Sequence, residues 1–481
     1  MSCSFHGSAH WADRSKNSAP SFEVISRGFS ATSSYLASSR PTLWSIDRLI
    51  DIRQEGSEKD HQDPTKYNAL FLELVQDITV RLEQQQGALV ALEELISSSA
   101  KKGNDVDLDR AYKTIRDFQH LYKDTRKKCS MLLPALEKQQ SEESSSIDPL
   151  LLLRHTQTTL LETYTRHSLT MESLAEMVIQ VRSTLTDDST PAWNEAVLRF
   201  IRAKVGQQLL AEHGSLLAKQ HLNEKKKQPD PNKMGVISKG ISAWELVEQS
   251  VTEAKHLCEA HYLHSPSVIG IPSETSPTIF IPQSLSPSPT TAGTETKDDE
   301  SHEGGEFPTF TNVRPWLQFA LVELLKNSMA ITAHRQLMAT GVDGPQHYYE
   351  TSSADGNDES GLHPIFVQVH DTDDFVEIEI LDQAGGIEDD SSDLFSFCQT
   401  QELWDRLDDQ QTYAQTRSPV QGLGVGLCMS RMYLQHFGGM VELEDRQEDN
   451  LPPEFPQALK KGVTSRLRIP KSTSILEQNP S

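Results

Sequence analysis

Three side chains in one short segment have the chemistry to handle a metal-bound phosphate. In VELLKNSMA, residues 322–330, Glu323 and Asn327 are four residues apart and share one face of a helix, with Lys326 beside them. An amide oxygen can bind Mg²⁺, and a carboxylate can orient or deprotonate an attacking hydroxyl group or water. An acid and an amide on a helix are usually just a solvated face, so a triphosphate site needs further motifs beside this one.

A second segment supplies a group suited to a nucleotide base. In ILDQAGGIEDD, residues 380–390, a strand delivers Asp382 into a glycine turn, where the carboxylate can accept a hydrogen bond from the exocyclic amine of adenine. Farther along the chain, KGVTSRLRIP, residues 461–470, puts Thr464 at the start of a closing strand. The first of these segments therefore predicts a position for adenine.

A glycine-rich loop predicts a place for phosphate groups. VQGLGVGLCMSRMYLQHFGG, residues 420–439, puts Gly422, Gly424 and Gly426 directly before a helix, so backbone amides and the positive helix end can surround an anion. A dinucleotide-binding loop follows a strand, whereas these glycines follow a long polar stretch. A Walker A loop needs Lys where Leu427 stands, and a protein-kinase loop needs HRD and DFG motifs, which the sequence lacks.

Helical periodicity dominates the N-terminal half of the chain. Apolar residues recur at spacings of three and four, for example from Phe71 to Ile96, in four stretches with little strand signal. Four such stripes predict a helical bundle over residues 66–225. The predicted helices cover residues 67–96, 106–136, 148–185 and 193–222.

The periodicity changes after the polar linker at residues 223–233. Residues 364–382 alternate apolar and polar side chains in two runs, which predicts an antiparallel hairpin with one buried face. Residues 234–470 are therefore expected to form an α+β domain with a mixed or antiparallel sheet. The other predicted elements of this domain are short strands in MGVIS and SPTIFIP and helices over residues 243–264 and 315–339.

Several segments lack periodicity. Residues 283–306 and 341–361 are polar and are predicted to be disordered insertions, and residues 471–481 are a tail. Residues 1–60 are expected to be a transit peptide and a flexible N-terminus, because residues 26–44 are rich in Ser and Ala and contain arginine but no acid. A plain disordered tail is the alternative.

The bulk composition excludes some classes of protein. The 481-residue chain is long enough for two domains and is 36% hydrophobic, without an apolar stretch long enough to span a membrane. A net charge of -24 argues against general nucleic-acid binding. The five cysteines have no CxxC spacing, which suits a reducing compartment and gives no zinc site.

The order of the motifs resembles the Bergerat-type ATPase fold shared by histidine kinases, heat-shock-type chaperones, gyrases and the mitochondrial 2-oxo-acid dehydrogenase kinases. Chaperones and gyrases of this fold begin with the ATPase, whereas this chain begins with a helical bundle. A histidine kinase usually has an acid after its phosphoacceptor histidine, but Ser168 follows His167 here. The segment TYTRHSLTMESLAEMV, residues 163–178, is instead similar to the Arg-His element of the mitochondrial kinases.

More of the chain is similar to the mitochondrial kinase family. Residues 197–217 are similar to its fourth bundle helix, residues 240–262 to the first helix of its ATPase domain, and residues 427–439 to the helix after its second glycine box. The resemblance covers roughly residues 66–470, the two insertions excepted. It implies an α+β fold in which an N-terminal four-helix bundle is followed by a Bergerat-type α/β-sandwich kinase domain.

The resemblance also implies roles for individual residues. Glu323 and His167 would be catalytic, with Glu323 taking or orienting the substrate Ser proton and His167 supporting it. Asn327 would bind Mg²⁺, with K⁺ as a further ion of the family, and Asp382 and Thr464 would hold the adenine of ATP. The other nucleotide contacts would be Lys326, Gly386, Thr400, Gly422, Leu423, Gly424, Val425, Gly426 and Leu427.

The chain departs from the family pattern at three places. Ala384 replaces a glycine of the first glycine box, so that turn must tolerate a methyl group. Ala330 stands where the family usually has an arginine, which puts one phosphate contact in doubt. The last element reads Gly462-Val463-Thr464, with its threonine displaced by one position.

The function implied by the resemblance is that of an ATP-dependent protein serine kinase of the mitochondrial matrix. Its substrate would be the E1 alpha subunit of pyruvate dehydrogenase, which phosphorylation inactivates, or the branched-chain counterpart. The lipoyl domain of the E2 core and a second copy of the chain would be partners. A non-catalytic ATP-binding adaptor and a protein histidine kinase are the alternatives.

Overall fold

The computed structural model contains a helical N-terminal region followed by a region of mixed α/β sheet, which confirms the α+β class. The two regions meet along one helix that contributes side chains to both hydrophobic cores. The structure describes residues 41, 43–50, 68–99, 105–140, 148–168, 170–182, 184–185, 189–223, 230–262, 264–271, 308–339, 362–387, 394–398, 424–446 and 461–477.

Long helices form the first region, as the apolar periodicity predicts. The predicted helix 148–185 is instead two helices, which meet after Ser168. The carbonyl of His167 there accepts hydrogen bonds from the Lys204 ammonium and the Thr170 hydroxyl, so side chains replace the usual amide donors at a helix end. The helices are α1 Ile46–Ile50, α2 Asn68–Ser99, α3 Asp105–Gln140, α4 Pro149–Ser168, α5 Thr170–Arg182 and α6 Thr190–Asn223.

Residues near both ends of the chain pack against the helical core. Trp44 and Leu49 are buried in that core, and Ser45 forms an antiparallel bridge with Leu476. The backbone amide of Glu477 donates to the Trp44 carbonyl at 2.6 Å. Trp44 and Leu49 thus gain burial against the bundle, and the two segments are joined by backbone contacts.

The second region contains two sheets. The smaller has the strand order β1-β2-β4, and the larger has the order β3-β5-β6-β8-β7, in which only the β3–β5 pairing of the described strands is parallel. The predicted hairpin over residues 364–382 is confirmed, and the predicted strand in MGVIS is divided between β1 and β2. The elements are β1 Lys233–Met234, β2 Ile237–Ser242, α7 Ala243–Tyr262, β3 Val268–Ile271, β4 Thr309–Asn312, α8 Arg314–Ala339, β5 Ile365–Asp371, β6 Phe375–Leu381, α9 Gly426–His436, β7 Met440–Arg446 and β8 Gly462–Pro470.

The two faces of the larger sheet differ in chemistry. Because side chains alternate along a strand, the apolar set that includes Ile378 and Leu467 packs against α7 and α8, and the intervening residues point the other way. On that outer face, Arg466 pairs with Glu379 at 2.5 Å and also with Glu444. Opposite charges paired across strands in this way stabilise the sheet.

Helix α9 joins the two cores. Met429 belongs to the helical core and Leu434 belongs to the sheet core. The helix begins at Gly426, the last glycine of the loop singled out in the sequence, so the described end of that loop lies where the two regions meet.

Several predicted features lie outside the described residues. They are the strand in SPTIFIP and the insertions 283–306 and 341–361, together with most of the predicted transit segment. In the part of the chain that the structure describes, none of the helices is both long enough and apolar enough to cross a membrane.

Candidate nucleotide site

Helix α8 carries a carboxylate and an ammonium group that pair with each other. Lys326 Nζ donates to the two oxygens of Glu323 at 2.7 and 2.6 Å. The two side chains are 7% and 17% exposed, whereas Asn327 is exposed to solvent. Both oxygens of Glu323 are therefore engaged by Lys326, while the Asn327 amide remains accessible to a ligand.

The glycine loop approaches this ion pair. Gly426 is the first residue of α9, and a Cβ atom at this position would overlap the Glu323 carboxylate, so any other residue here would displace that side chain. Glu323 consequently lies at the positive end of the helix dipole of α9. The structure thus brings together two motifs that are distant in the sequence.

Asp382 is buried just after the end of β6 and is held by backbone donors. Its Oδ1 atom accepts hydrogen bonds from the amides of Ala384 and Val463, both at 3.0 Å. Both contacts tie the end of β6 to the start of β8.

Burial raises the pKa of the Asp382 carboxyl group above its ordinary value, and several groups oppose this shift. The opposing groups are the two backbone amides, the Arg446 guanidinium and the Ser328 hydroxyl. Arg446 also donates to the backbone carbonyl of Asp382. A buried acid in such surroundings with a perturbed pKa is a typical feature of a functional site.

The glycine turn after Asp382 is held from two sides. Arg335 on α8 donates to the carbonyl of Ala384 and, at 3.4 Å, to the carbonyl of Gly386. From the end of β7, the Asp445 carboxylate accepts the Ile387 amide at 3.2 Å. Gly386 has a φ angle of 88°, a conformation that favours glycine. Ala384 is accommodated with 6% exposure, so the turn tolerates the methyl group at this position.

Thr464 lies on the outer face of the sheet. Leu467 points toward the helices, and strand alternation therefore turns Thr464 to the opposite face. There its hydroxyl accepts a hydrogen bond from Arg446 at 3.3 Å. The neighbouring Val463, whose amide donates to Asp382, faces the helices instead. Contact between Thr464 and a base remains a prediction, and the described link between Thr464 and Asp382 runs through Arg446.

His167 is fully buried in the helical region. Its Nε2 atom lies 3.0 Å from the Thr125 hydroxyl, and its ring packs edge-on against Tyr122 with centroids 4.3 Å apart. Burial, followed by the positive charges of Lys204 and Arg166, lowers the pKa of His167 to about 3, so the imidazole is neutral at pH 7. Among the described residues, no hydrogen bond or ion pair joins His167 to Glu323, and its catalytic role stays a prediction.

The remaining predicted contacts are only partly described. Thr400, Gly422 and Leu423 lie outside the described residues. Val425 packs against the helical core and Leu427 against the sheet core, which anchors the end of the glycine loop on both sides. Just before them, the Gly424 carbonyl accepts the Cys398 amide at 3.0 Å.

Three residues with clear positions in the site were not predicted. Ser328 follows Asn327 directly, so its place on the same helical turn was a signal that the sequence offered. Arg335 and Arg446 gave no local signal, because their partners are backbone carbonyls of a distant turn. Such contacts depend on tertiary packing alone.

Asn327 offers an amide oxygen that could serve as a ligand for a metal ion. Among the described residues there is no group of three or more His, Cys, Asp or Glu side chains that could hold a metal ion. Mg²⁺ usually keeps several waters and binds one or two protein ligands together with substrate phosphates. The exposed amide of Asn327 suits that arrangement.

Comparison with known proteins gives a distant relative. No family model matches the chain. Over 251 residues, or 51% of this chain, the sequence is 24% identical to the mitochondrial pyruvate dehydrogenase (acetyl-transferring) kinase of Schizosaccharomyces pombe. The matching segment covers 45% of that relative, so this chain spans about half of its length. The similarity indicates distant homology to this mitochondrial kinase.

Proposed function

We propose that this chain is an ATP-dependent protein serine kinase with a Bergerat-type nucleotide site. One observation carries the proposal: a single stretch of α8 contacts both ends of the site. Glu323 lies against Gly426 of the glycine loop, and Arg335 of the same helix donates to the Ala384 carbonyl in the turn after Asp382. A nucleotide bound with its adenine at Asp382 and its phosphates at the loop would therefore lie along this helix.

Each end of the site would perform a separate task. Asp382 would accept a hydrogen bond from the adenine amine, and the amides of the glycine loop would hold the phosphates. Mg²⁺ bound through Asn327 would neutralise phosphate charge. Catalysis in such a site rests mainly on positioning and charge stabilisation.

Glu323 would orient or deprotonate the substrate serine. Lys326 donates to both of its oxygens, so the ammonium group occupies the positions that a substrate hydroxyl group would need. A phosphate group near Lys326 would compete for the ammonium and release Glu323. The ion pair therefore gives Lys326 a role at the phosphates and Glu323 a role at the hydroxyl group.

The proposed substrate is the E1 alpha subunit of pyruvate dehydrogenase, with the branched-chain enzyme as the alternative. The printed name of the relative supports this choice and the mitochondrial location. The lipoyl domain of the E2 core and a second copy of the chain are the proposed partners. The outer face of the larger sheet carries the Arg466–Glu379 and Arg466–Glu444 ion pairs, so a dimer formed through this face would have a polar interface.

A phosphorylation assay tests the proposed function. Purified chain and labelled Mg-ATP are incubated with each of the two dehydrogenases, and serine phosphate is measured alongside dehydrogenase activity. We expect serine phosphorylation of E1 alpha with loss of dehydrogenase activity, and phosphate transfer reduced about 10²- to 10⁴-fold by Glu323→Gln. Label on histidine of the chain itself would instead support a histidine kinase.

A non-catalytic ATP-binding adaptor is the second candidate. Two observations favour it. Ala330 stands where the mitochondrial kinase family usually has an arginine, and Lys326 forms an ion pair with Glu323. ATP binding with no phosphate transfer to either dehydrogenase, combined with binding to a lipoyl domain, would support the adaptor.

A further inference from the structure

Two consecutive glycines form the turn that follows Asp382. Gly385 and Gly386 have φ angles of 92° and 88°, and glycine loses more conformational freedom on folding than any other residue. A turn of this kind keeps one conformation only when tertiary contacts hold it. We propose that Arg335 of α8 is the positioning residue that holds this turn in the shape that binds adenine. The inference rests on the proposed nucleotide site.

The Arg335 guanidinium group bridges two carbonyls of the turn. It donates to the carbonyl of Ala384 and, at 3.4 Å, to that of Gly386. It also lies against Gly385 between them, where a Cβ atom would be 2.5 Å from Arg335 Nη1. A guanidinium presents its donors in a rigid planar fork, so two bonds from this one side chain fix the two peptide groups relative to each other.

These contacts reach the Asp382 carboxylate through Ala384. The Ala384 amide donates to Asp382 Oδ1 at 3.0 Å, and the Ala384 carbonyl accepts from Arg335. On the other side of the turn, the Gly385 amide donates at 2.9 Å to the carbonyl of Lys461, the residue before β8. Arg335 therefore fixes the residue that orients the proposed adenine acceptor, and the turn is held between α8 and the start of β8.

Arg335 and Glu323 lie at different positions along α8. They are twelve residues apart, which corresponds to about 18 Å along the helix axis. Glu323 lies against Gly426 of the glycine loop, whereas Arg335 lies against the turn after Asp382. Loss of the Arg335 side chain should therefore weaken the contact with the base and leave the contacts with the phosphates unchanged. A general loss of packing would weaken both.

The test compares Arg335→Ala with wild type by calorimetric titration of Mg-ATP and of Mg-tripolyphosphate, which has no base. For ATP we expect about tenfold weaker binding, a size typical of losing one hydrogen bond to a charged group. The affinity for tripolyphosphate should not change. Arg335→Lys keeps the positive charge but not the planar fork, so its ATP affinity should lie between those of Arg335→Ala and wild type.

Arg314→Ala is the matched control. Arg314 is the first residue of the same helix, at the end opposite to Arg335, and pairs with Glu245 at 3.2 Å. Its removal takes the same group from α8 without a change at the turn. The ATP affinity of this variant should equal that of wild type.

Hydrogen exchange measured without nucleotide tests the turn directly. The Gly385 amide, which donates to Lys461, should exchange faster in Arg335→Ala than in wild type or Arg314→Ala, because the turn opens more often. This readout does not depend on ATP binding.

The outcomes separate the inference from the proposed function. Equal losses of affinity for ATP and tripolyphosphate, or unchanged exchange in the turn, would overturn the role of Arg335. If wild type binds ATP and Arg335→Ala binds it equally well, the inference fails and the proposed site stands. If Arg335→Ala does not fold, Arg335→Lys decides, and an ATP affinity equal to that of wild type would overturn the bridge between the two carbonyls. No ATP binding by wild type would overturn both proposals.

Discussion

The buried ion pair between Arg81 and Glu477 should make a large contribution to stability. Arg81 on α2 donates to both oxygens of Glu477 at 2.6 Å and to Asp77 at 2.8 Å, and Asp77 also accepts the Trp44 indole N–H at 3.1 Å. His436, the last residue of α9, lies 3.5 Å from Glu477. The C-terminal segment is thus linked to the helical region and to the helix that begins at the glycine loop.

Glu477→Ala should lower the free energy of unfolding by about 3 kcal/mol. Removing one partner of a buried ion pair costs about 3–5 kcal/mol because the other charge is left uncompensated. The side chains of Arg81 and Glu477 are 1% and 3% exposed, which puts the pair in this class. Asp77 still neutralises part of the Arg81 charge, so the lower end of the range applies. With a urea dependence of about 3 kcal/mol per M, the unfolding midpoint should fall by about 1 M.

Urea unfolding followed by circular dichroism measures this effect, with Glu73→Ala as the control. Glu73 forms an ion pair of 2.8 Å with Arg48, but both side chains are exposed, so the expected loss is about 0–1 kcal/mol. Equal decreases in the free energy of unfolding of the two variants would refute the assignment of a strong buried ion pair.

The pH dependence gives a second check on the pair. Burial by itself raises the pKa of Glu477, but His436 and Arg81 together hold it below the ordinary value of a glutamate. A lowered folded-state pKa contributes stability above the unfolded pKa, and this stability is lost as the pH falls through the folded pKa. The difference in free energy of unfolding between wild type and Glu477→Ala should therefore decrease as the pH falls below the ordinary glutamate pKa. A difference that stays constant with pH would contradict the reasoning.

Four other outcomes are expected. Asp382→Asn should abolish ATP binding in calorimetry, because an amide can present its NH₂ group where an acceptor is needed. An affinity within a few-fold of wild type would show that Asp382 does not bind adenine. Glu323→Gln should keep ATP binding while phosphate transfer falls by about 10²- to 10⁴-fold, and retained turnover would move the catalytic role elsewhere. The free energy of unfolding should decrease as the pH falls from about 6.5 toward 4. Burial lowers the pKa values of His213 and His436 to about 4 in the folded protein, so the two histidines are protonated in the unfolded chain at higher pH than in the folded one. Urea unfolding at several pH values measures this decrease. A reporter fused to residues 1–60 should enter mitochondria, and a full-length cytosolic reporter would contradict the predicted address.

Local patterns in the sequence were sufficient for the secondary structure around the site. Apolar spacings of three and four predicted helix 67–96, and the structure has Asn68–Ser99. Strict alternation predicted the hairpin that became β5 and β6. These patterns repeat every few residues, so they can be recognised from a short segment of the sequence alone.

The residue types of the site were also visible in the sequence, since an acid after a strand and glycines before a helix have a recognisable chemistry. The face on which Thr464 lies was not visible, because it depends on the pairing register of β8 with β6 and β7. A shift of one residue in that register would turn Thr464 toward the helices.

The contacts that complete the site and the fold were decided by tertiary structure alone. Asp382 meets Val463, and Arg81 meets Glu477, across long separations in the chain. Helix and strand patterns record which face of an element is apolar, but not which element covers that face. Those pairings follow from how helices and sheet pack to bury apolar surface while each buried charge gains a partner. They depend on the packing of all the elements together.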